Sequence, residues 1–428
     1  MPNKGFSSGL QVFLKGTVFS FLGALVLGVV NYLIRRHLAI TLKPVDFGFF
    51  YSMFALYNLL TTFFQFGVKQ ASTVLTASYI AKKQEKRIDT LISSLLLFCV
   101  ISGFVLMTIL ICGRNLLAIH FFKYPGAAAA IAVFAPFVLL NPIWSIFVSV
   151  PHAKLNFPVY NGLTVLQMLL VLAGVWIFAG PELLPMLGAW ICAIVLALAA
   201  AIAVVCRKYR LRISPRLARG SRMAGKIWSL CSWMSGSMAG IMVLSNLDSF
   251  CLTWLSDLKQ VAAYNIALPI MQILQTLMVL PLVFLPLAAK MWEERKISEL
   301  RRIFLIVNTA LVVCTIPTAF FFHWAGEWII SVMFGARFTG SAPALTILAA
   351  GILFYVVGQF NLNFLNSTGR QKIGMFIVVL TVLCDFLLNL LLIPKFGFCG
   401  AAGALSLSYA LVAVLTFLPS LKQLSISE

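Results

Sequence analysis

The sequence predicts an all-α integral membrane protein in which about twelve transmembrane helices form two lobes of six. Of the 428 residues, 61% are hydrophobic and only 10% are charged, and the mean hydropathy is +1.00. A soluble domain usually carries about 25% charged residues. Uncharged apolar runs long enough to cross a bilayer recur along the whole chain. A basic segment near the midpoint separates the two predicted lobes.

The apolar runs give approximate bounds for each predicted helix. In chain order they are 16–34, 47–68, 90–112, 127–150, 158–180, 183–206, 227–254, 262–288, 303–324, 342–366, 373–393 and 399–421. The first run leads into Arg35 and Arg36 without a cleavage pattern, so we interpret it as a helix and not as a signal peptide. The connections are short, which excludes a soluble catalytic domain in any loop.

The positive charge of the chain is explained by membrane topology. The net charge is +20, from 32 Lys and Arg residues against 12 acidic ones. With the amino terminus inside, about three quarters of these cations lie on the cytoplasmic side, which is the usual bias of membrane proteins. Both termini are therefore predicted to be cytoplasmic, and no nucleic-acid partner is needed. The remaining basicity suits contacts with anionic membrane lipids.

The cysteines and histidines predict neither a metal site nor a cofactor. The nine cysteines lie in or at the ends of apolar runs and form no C-x-x-C pair, and the four histidines are scattered. Zinc sites and disulfide frameworks need closer or more regular spacing. We interpret the cysteines as small hydrophobic residues.

The domain organisation follows from the basic midpoint segment. Residues 207–226 carry eight basic residues and no acidic one. This predicts an N-terminal six-helix lobe at 1–206, a cytoplasmic linker at 207–226 and a C-terminal six-helix lobe at 227–428. A shift of 214 residues lays 47–67 over 261–281, with Gly48 on Ala262. Because six is even, the two halves of this repeat would have parallel topology.

Polar residues lie on one face of the second and eighth predicted helices. At about 100° per residue the members share an arc of roughly 60°. On the second helix they are Tyr51, Asn58, Thr62, Gln65 and Lys69, and at matching positions on the eighth they are Asn265, Gln272 and Thr276. Amides also hydrogen-bond neighbouring helices in membrane bundles, which is the alternative. The recurrence in both halves favours a shared water-accessible cavity.

The tenth predicted helix carries a third polar face, formed by Gln359, Asn363, Asn366 and Arg370. Amide-rich walls suit sugar hydroxyls, because each amide offers donors and an acceptor. Lys69 could bind a phosphate as a point charge, or it could extend to the membrane surface.

A few charged residues in or near the membrane are candidates for coupling or for pairing between the lobes. They are Arg35, Arg36, Asp248 and Asp385. Asp248 could pair with one of the two arginines, or the arginines could anchor the end of the first helix at the membrane surface. Asp385 lies in the middle of a helix, where it should be protonated or bonded to a neighbour such as Asn389.

Four segments resemble a known family of exporters. They are RRHLAITLKPVDFGFFYSMFAL at 35–56, LDSFCLTWLSDLKQVAAYNIA at 247–267, FLNSTGRQKIG at 364–374 and NLLLIPKFGFCGAAGALSLS at 389–408. With the helix number, linker and repeat, they resemble polysaccharide-biosynthesis flippases of the O-antigen type. These belong to the multidrug/oligosaccharidyl-lipid/polysaccharide (MOP) exporter superfamily, which is MATE-like. Asp385 lies where that family often has asparagines.

This resemblance implies a transporter of oligosaccharides linked to undecaprenyl pyrophosphate. The substrate would cross the inner membrane of a bacterium by alternating access, through a V-shaped cavity between the two lobes. Membrane lipids, a coupling proton or sodium ion, and a polymerase with other glycan-assembly proteins would be the partners.

Two other functions stay open at this stage. A multidrug or cation antiporter of the same superfamily would need a cavity carboxylate, and Asp248 and Asp385 are the candidates. A membrane glycan polymerase, ligase or glycosyltransferase would need catalytic groups outside the cytoplasm, where His323, Glu327 and Arg337 offer a sparse set.

Overall fold

A computed structural model describes residues 4–65, 68–178, 180–214, 223–277, 291–292, 294–368 and 370–426. Within these ranges the chain is almost entirely helical and contains no strand. Nine helical stretches of the described residues are long and apolar enough to cross a membrane. The predicted all-α membrane fold is therefore confirmed.

The helices are numbered here in chain order. In the first half they are α1 (Lys4–Thr41), α2 (Pro44–Phe64), α3 (Val68–Ala81), α4 (Glu85–Cys112), α5 (Ala127–Phe134), α6 (Phe137–Ala153), α7 (Phe157–Ile177) and α8 (Leu183–Tyr209). In the second half they are α9 (Met223–Leu255), α10 (Leu258–Leu277), α11 (Ile297–Phe334), α12 (Ala342–Ser367) and α13 (Gln371–Ile426). Short helical turns at Arg114–Leu116, Leu117–Phe121 and Ala336–Ser341 complete the described structure.

Helices α1 and α11 are longer than the predicted 16–34 and 303–324, and the helix pattern differs from the predicted one in two further places. The run predicted at 127–150 is two helices, because Pro136 has no N–H to continue the first of them. No helix is predicted between 68 and 90, but this stretch contains α3. Its buried face carries Ser72 and Thr76, and Ser72 hydrogen-bonds Ser149 of α6. A face that packs through hydroxyl groups is not detected by hydropathy.

The helix ends support the repeat of 214 residues. α1 and α9 end at Thr41 and Leu255, and α2 and α10 begin at Pro44 and Leu258. Each pair is separated by the predicted shift. The same shift relates the ends of α6 and α12, the starts of α7 and α13, and the start of α8 to the kink at Gly397 in α13. Residues related by this shift therefore occupy equivalent positions in the two halves.

The chain forms two compact units. The first contains Met1–Leu42 and Leu60–Ser235, and the second contains Lys43–Leu59 and Gly236–Glu428. The first unit packs around α6, with Trp144 and Phe147 against Leu91 of α4 and Ala197 of α8. The second has an aromatic core in which Phe304 of α11 contacts three other phenylalanines. Residues 44–59 of α2, about three quarters of the helix, lie in the second unit, although the predicted N-terminal lobe contained them.

Helix α13 is a helical hairpin, in agreement with the separate runs predicted at 373–393 and 399–421. At Gly397 the backbone turns back with φ 54° and ψ −132°, a region that is strained for any residue with a Cβ. Gln260 of α10 caps the turn, because its Oε1 accepts a hydrogen bond of 2.9 Å from the Phe398 N–H. The motif IPKFGFCGAAGA therefore encodes a turn between two membrane-crossing segments.

Replacing Gly397 with alanine should destabilise this hairpin. The added Cβ would lie 2.5 Å from Gln260 Oε1 and would have to keep a positive φ, which alone costs about 1–3 kcal/mol. We expect a lower midpoint of thermal unfolding in detergent for Gly397→Ala. Gly403→Ala is the matched control, since its Cβ would meet only Leu392 Cδ1 at 3.8 Å. Equal stability of the two variants would contradict this role of Gly397.

Candidate functional site

Two buried carboxyl groups meet in the second unit, where α9, α10 and both segments of α13 come together. Asp248 of α9 is 1% exposed, and Asp385 of α13 is fully buried together with Asn389. A charged group is rarely buried this deeply in a membrane helix unless it has a function. We call Asp248, Tyr264, Asp385, Asn389 and Ser408 the carboxyl cluster.

Hydrogen bonds connect every member of the carboxyl cluster. Tyr264 donates its hydroxyl proton to Asp248 Oδ2 at 2.7 Å. Asn389 Nδ2 lies 2.9 Å from Asp248 Oδ1 and 3.1 Å from Asp385 Oδ2. Ser408, on the returning segment of α13, donates to Asp385 Oδ1 at 2.8 Å. The predicted bond between Asp385 and Asn389 is therefore present, and it extends into a network that spans three helices.

The two carboxyl groups also contact each other. The titratable groups that face them are the phenol of Tyr264 and, farther away, the thiol of Cys251. No lysine or arginine of the described residues is among their electrostatic partners. Two adjacent carboxylates in a low-dielectric interior repel each other strongly, so they cannot both be ionised without a counter-charge. The cluster is therefore chemically suited to hold one proton or one cation.

At the equivalent positions of the first unit, apolar residues replace four members of this cluster. Shifting by 214 residues places Ile34 at the position of Asp248, and Val171, Val175 and Ile194 at those of Asp385, Asn389 and Ser408. All four side chains are buried and apolar. Apolar side chains fill these four positions in the first unit. Packing alone therefore does not require polar groups at the same positions in the second unit. A function of the carboxyl cluster is the simplest reason for their presence.

One polar atom of the cluster is left without a partner. Asn389 Oδ1 is buried and accepts no hydrogen bond from any described residue. A buried carbonyl oxygen without a donor is costly, and an ordered water or an ion would satisfy it. Together with the carboxyl oxygens and Ser408 Oγ, it makes the cluster rich in oxygen acceptors.

The predicted polar face of α2 divides between different surroundings. Tyr51 is buried against the rings of Phe47 and Phe50, and Thr62 is half-buried. Asn58 is half-buried and lies 3.5 Å from Asn246 of α9, a long hydrogen bond. Gln65 is buried in the first unit, where its amide donates to the Val138 carbonyl at 3.3 Å. For Gln65 the structure favours the packing role that was the alternative.

The predicted polar residues of α10 and α12 also differ in their burial and contacts. Asn265 is buried and donates to Ser249 Oγ and to the Val261 carbonyl, both at 3.0 Å, which again is a packing role. Gln359 and Asn363 are half-buried, and Arg370 is exposed. The side chains of the remaining members lie outside the described part of the structure; they are Lys69, Gln272, Thr276 and Asn366.

The possible pairing of Asp248 with an arginine is replaced by the bonds within the carboxyl cluster. Arg35 and Arg36 lie inside α1, which continues to Thr41. The polar partners found for Asp248 among the described residues are Tyr264, Asn389 and Asp385. Anchoring at the membrane surface remains the interpretation for the two arginines.

Several residues of the site were not found from the sequence. Tyr264 and Ser408 bond the carboxyl groups, and Asn246 contacts Asn58. The sequence did indicate the bond between Asp385 and Asn389, because these residues are four apart on one helix face. The others come from different helices, and only the packing of α9, α10 and α13 brings them together.

Comparison with known sequences identifies the family. Residues 13–292 match the family described as polysaccharide biosynthesis protein, which is more than half of the chain. The chain belongs to this family. A second family, MatE, matches residues 234–391 and covers Asp248, Asp385 and Asn389. The resemblance seen in the sequence is therefore confirmed.

Two relatives extend the comparison. An uncharacterized membrane protein of Methanocaldococcus jannaschii is 25% identical over 415 residues, which cover 91% of this chain and 80% of that protein. The capsular polysaccharide biosynthesis protein CapF of Staphylococcus aureus is 28% identical over 129 residues, 29% of this chain and 32% of CapF.

Solved structures of transporters share the fold. An inward-facing multidrug resistance MATE transporter of the MOP superfamily superposes with a TM-score of 0.76 at 15% identity, over 93% of this chain and 94% of that one. A MOP superfamily transporter from Pyrococcus furiosus gives 0.66 at 13% identity, over 97% and 96%. The MATE-like fold is therefore confirmed. With the family match, it confirms a multi-pass membrane transporter of the MOP superfamily and not an enzyme.

Proposed function

We propose that this protein is a flippase that moves an oligosaccharide linked to undecaprenyl pyrophosphate from the cytoplasmic to the outer leaflet of a bacterial inner membrane. Both termini would lie in the cytoplasm, and other glycan-assembly proteins, such as a polymerase, would use the product. The match to the polysaccharide biosynthesis family over residues 13–292 carries this proposal. The local similarity to CapF supports it, since that protein is named for capsular polysaccharide synthesis.

The chemistry of the substrate explains why a protein is needed. A glycan head group has many hydroxyls, and each one that loses water without a new hydrogen bond costs about 2–7 kcal/mol. A polar pathway replaces those bonds while the isoprenoid tail stays in lipid. Asn58, Thr62, Gln272, Thr276, Gln359, Asn363 and Asn366 are the amides and hydroxyls proposed to line it. Lys69 and Arg370 would attract the pyrophosphate.

The carboxyl cluster is the proposed coupling site. Two contacting carboxyl groups without a basic partner need either a proton or a cation. The unpartnered Asn389 Oδ1 adds a ligand oxygen of the kind that sodium accepts. Binding of the ion would change the charge of the cluster, and this would bias the equilibrium between conformations that bind the substrate from opposite sides.

Complementation of a flippase-deficient strain tests the substrate assignment. We expect the wild-type gene to restore glycan export, and Lys69→Ala and Gln272→Ala to reduce export at unchanged protein level. Lys296→Ala is the matched control, because that lysine is exposed and forms an ion pair with Glu294 at a helix start. Failure of the wild-type gene, tested with several glycan types, would contradict the flippase. Full export by both Lys69→Ala and Gln272→Ala would show that these two residues do not line the pathway.

A multidrug or cation antiporter is the second candidate, because the MatE match at 234–391 covers the carboxyl cluster. An antiporter would exchange its substrate for the ion bound at Asp385. Drug resistance that is conferred by the wild-type gene and lost with Asp385→Asn, without any effect on glycan export, would favour this function.

A further inference from the structure

A cleft with a strongly positive lining lies in the first unit, where the turn between α3 and α4 meets the end of α6. Its volume is about 790 Å³, within the range of about 300–1,000 Å³ that is usual for pockets that bind a small ligand. Its charged lining residues are Lys83, Glu85, Lys86, Arg87 and Lys154. Four positive charges against one negative give a net charge of +3. We call this feature the basic cleft.

The four cations of the basic cleft are not neutralised by the protein. None of them forms an ion pair with an acidic group among the described residues. Lys154 Nζ lies 4.9 Å from the ring centre of Tyr209, a cation–π contact that positions the ammonium group but leaves its charge uncompensated. The first turn of α4 also borders the cleft, and the dipole at a helix start favours an anion. The basic cleft is therefore suited to bind an anionic group.

The repeat shows that the fold does not require these cations. Lys83 and Arg295 have φ of 54° and 56°, and each lies two residues before a helix start, that of α4 or that of α11. These two turns are therefore equivalent, and in a parallel repeat they lie on the same side of the membrane. Neutral or acidic residues occupy the places of the other three cations in the second unit; in chain order they are Ser298, Glu299 and Thr368. Membrane topology alone therefore does not explain the basic cleft.

The basic cleft lies next to a surface of α4 that faces lipid. Phe98, Ile101 and Val105 follow Arg87 at steps of 11, 14 and 18 residues, so all four share an arc of about 60° on the helix. The three apolar side chains are about half exposed, and they belong to a helix long and apolar enough to span the membrane. Exposed apolar groups on such a helix contact acyl chains. This arrangement favours a membrane lipid over a soluble anion as the ligand.

The position of the cations along the helices also suits a lipid head group. Lys86 and Arg87 lie in the first turn of α4, and Lys154 directly follows the last residue of α6. The positive charges therefore lie at the ends of two membrane-spanning helices, where the head groups of the bilayer begin. In the proposed topology this is the cytoplasmic surface, where basic pockets attract anionic phospholipids.

We propose that the basic cleft binds one anionic phospholipid, with its phosphate on the four cations and its acyl chains along α4. The bound phosphate neutralises charges that the protein leaves uncompensated, and it connects the start of α4 to the end of α6. The inference does not depend on the transported substrate, because none of the four cations belongs to the proposed substrate pathway or to the carboxyl cluster.

Native mass spectrometry of the purified full-length protein in detergent tests the lipid. We expect one phosphatidylglycerol to bind at least about tenfold more tightly than phosphatidylcholine, because only the former carries a net negative charge. Glycerol 3-phosphate has the same phosphate without acyl chains, and a large excess of it should leave the lipid bound. Equal binding of the two phospholipids would overturn the proposal. Displacement by glycerol 3-phosphate would also overturn it, since the ligand would then be a soluble phosphate.

Substitutions locate the binding site. Lys86→Gln, Arg87→Gln and Lys154→Gln should each weaken phosphatidylglycerol binding about fivefold, the effect of one basic residue at an anionic lipid. Lys82→Gln is the matched control, because Lys82 is exposed in the same turn and does not line the cleft. If Lys82→Gln weakens binding as much as Lys86→Gln, the charge of the whole surface attracts the lipid and the proposal is wrong.

Thermal unfolding gives a second measurement that also shows whether the variants fold. A ligand that binds only the folded protein raises the midpoint of unfolding. Phosphatidylglycerol should therefore raise this midpoint in the wild type and in Lys82→Gln, but much less in the double variant of Lys86→Gln and Arg87→Gln. Without lipid, the double variant should unfold at the wild-type temperature, because both side chains are exposed. An equal rise in the double variant and the wild type would overturn the proposal.

Discussion

Asp385→Asn is expected to eliminate the accumulation of substrate against its gradient while uncoupled transport continues. The amide has nearly the same shape as the carboxyl group, but it takes up no proton and carries no charge for a cation. A pH difference of one unit is worth about 1.4 kcal/mol, or a tenfold ratio, per coupled proton. In proteoliposomes with such a gradient, the substrate ratio should fall from about tenfold in the wild type to one in the variant.

The same variant should fold at least as well as the wild type. The amide has nearly the shape of the carboxyl group and leaves one carboxyl group in the cluster where there were two, so the midpoint of thermal unfolding should stay the same or rise. Loss of coupling with retained stability would identify a functional group and not a structural one. Asp89→Asn is the matched control, because Asp89 lies in the first turns of α4 and accepts a hydrogen bond of 3.1 Å from the exposed Arg212 N–H.

Comparison of proton and sodium gradients identifies the ion. If sodium is the coupling ion, Asn389→Leu should reduce sodium-driven accumulation, since it removes Oδ1 as a ligand. Coupling that persists with both gradients in Asp248→Asn and in Asp385→Asn would contradict a coupling role of the cluster.

Gly48→Ala is expected to prevent the close packing of α2 on α10. A Cβ at Gly48 would lie 1.8 Å from the Leu258 carbonyl oxygen and 3.2 Å from the Ala262 backbone nitrogen. Both contacts are with backbone atoms, so no side-chain rotation relieves them and the helices must separate. Overpacking of this kind costs typically about 1–3 kcal/mol, and more where the neighbour cannot move. Transport should fall strongly and the midpoint of thermal unfolding should drop.

The contact between α2 and α10 joins equivalent positions of the repeat, because the 214-residue shift relates Gly48 to Ala262. Two equivalent helices meet at the position that both repeats share, and the absence of a side chain on one of them permits the approach. Gly28→Ala is the matched control, since a Cβ there would meet no atom within 4 Å. Wild-type stability and transport in Gly48→Ala would show that the close packing of α2 on α10 is not needed.

The membrane fold could be predicted from the sequence because a bilayer imposes a strong physical constraint. Every spanning segment must satisfy its own backbone hydrogen bonds and present apolar side chains over about 20 residues. The long apolar runs, the repeat and the turn motif at 389–408 follow from that constraint. Helix α3 is not predicted because Ser72 and Thr76 make up half of its buried residues and lower its hydropathy.

The polar residues were predicted less completely, because a helix face does not reveal what it contacts. Gln65 and Asn265 share the helical phase of Asn58, yet each is satisfied by a neighbouring helix. Asp248 and Asp385 were recognised as unusual, but their contact depends on two helices separated by more than a hundred residues. The periodicity of residues within one helix gives no information on the distance between side chains of two different helices.

The sequence by itself determined an all-α transporter with two related halves and identified its two buried carboxylates, because hydropathy, charge bias and repeats are local properties of a chain in a membrane. Only the tertiary structure decided that Asp248 and Asp385 form one site with Tyr264, Asn389 and Ser408. The reason is physical: the interaction between two charges depends on the distance between them, and helix packing sets that distance.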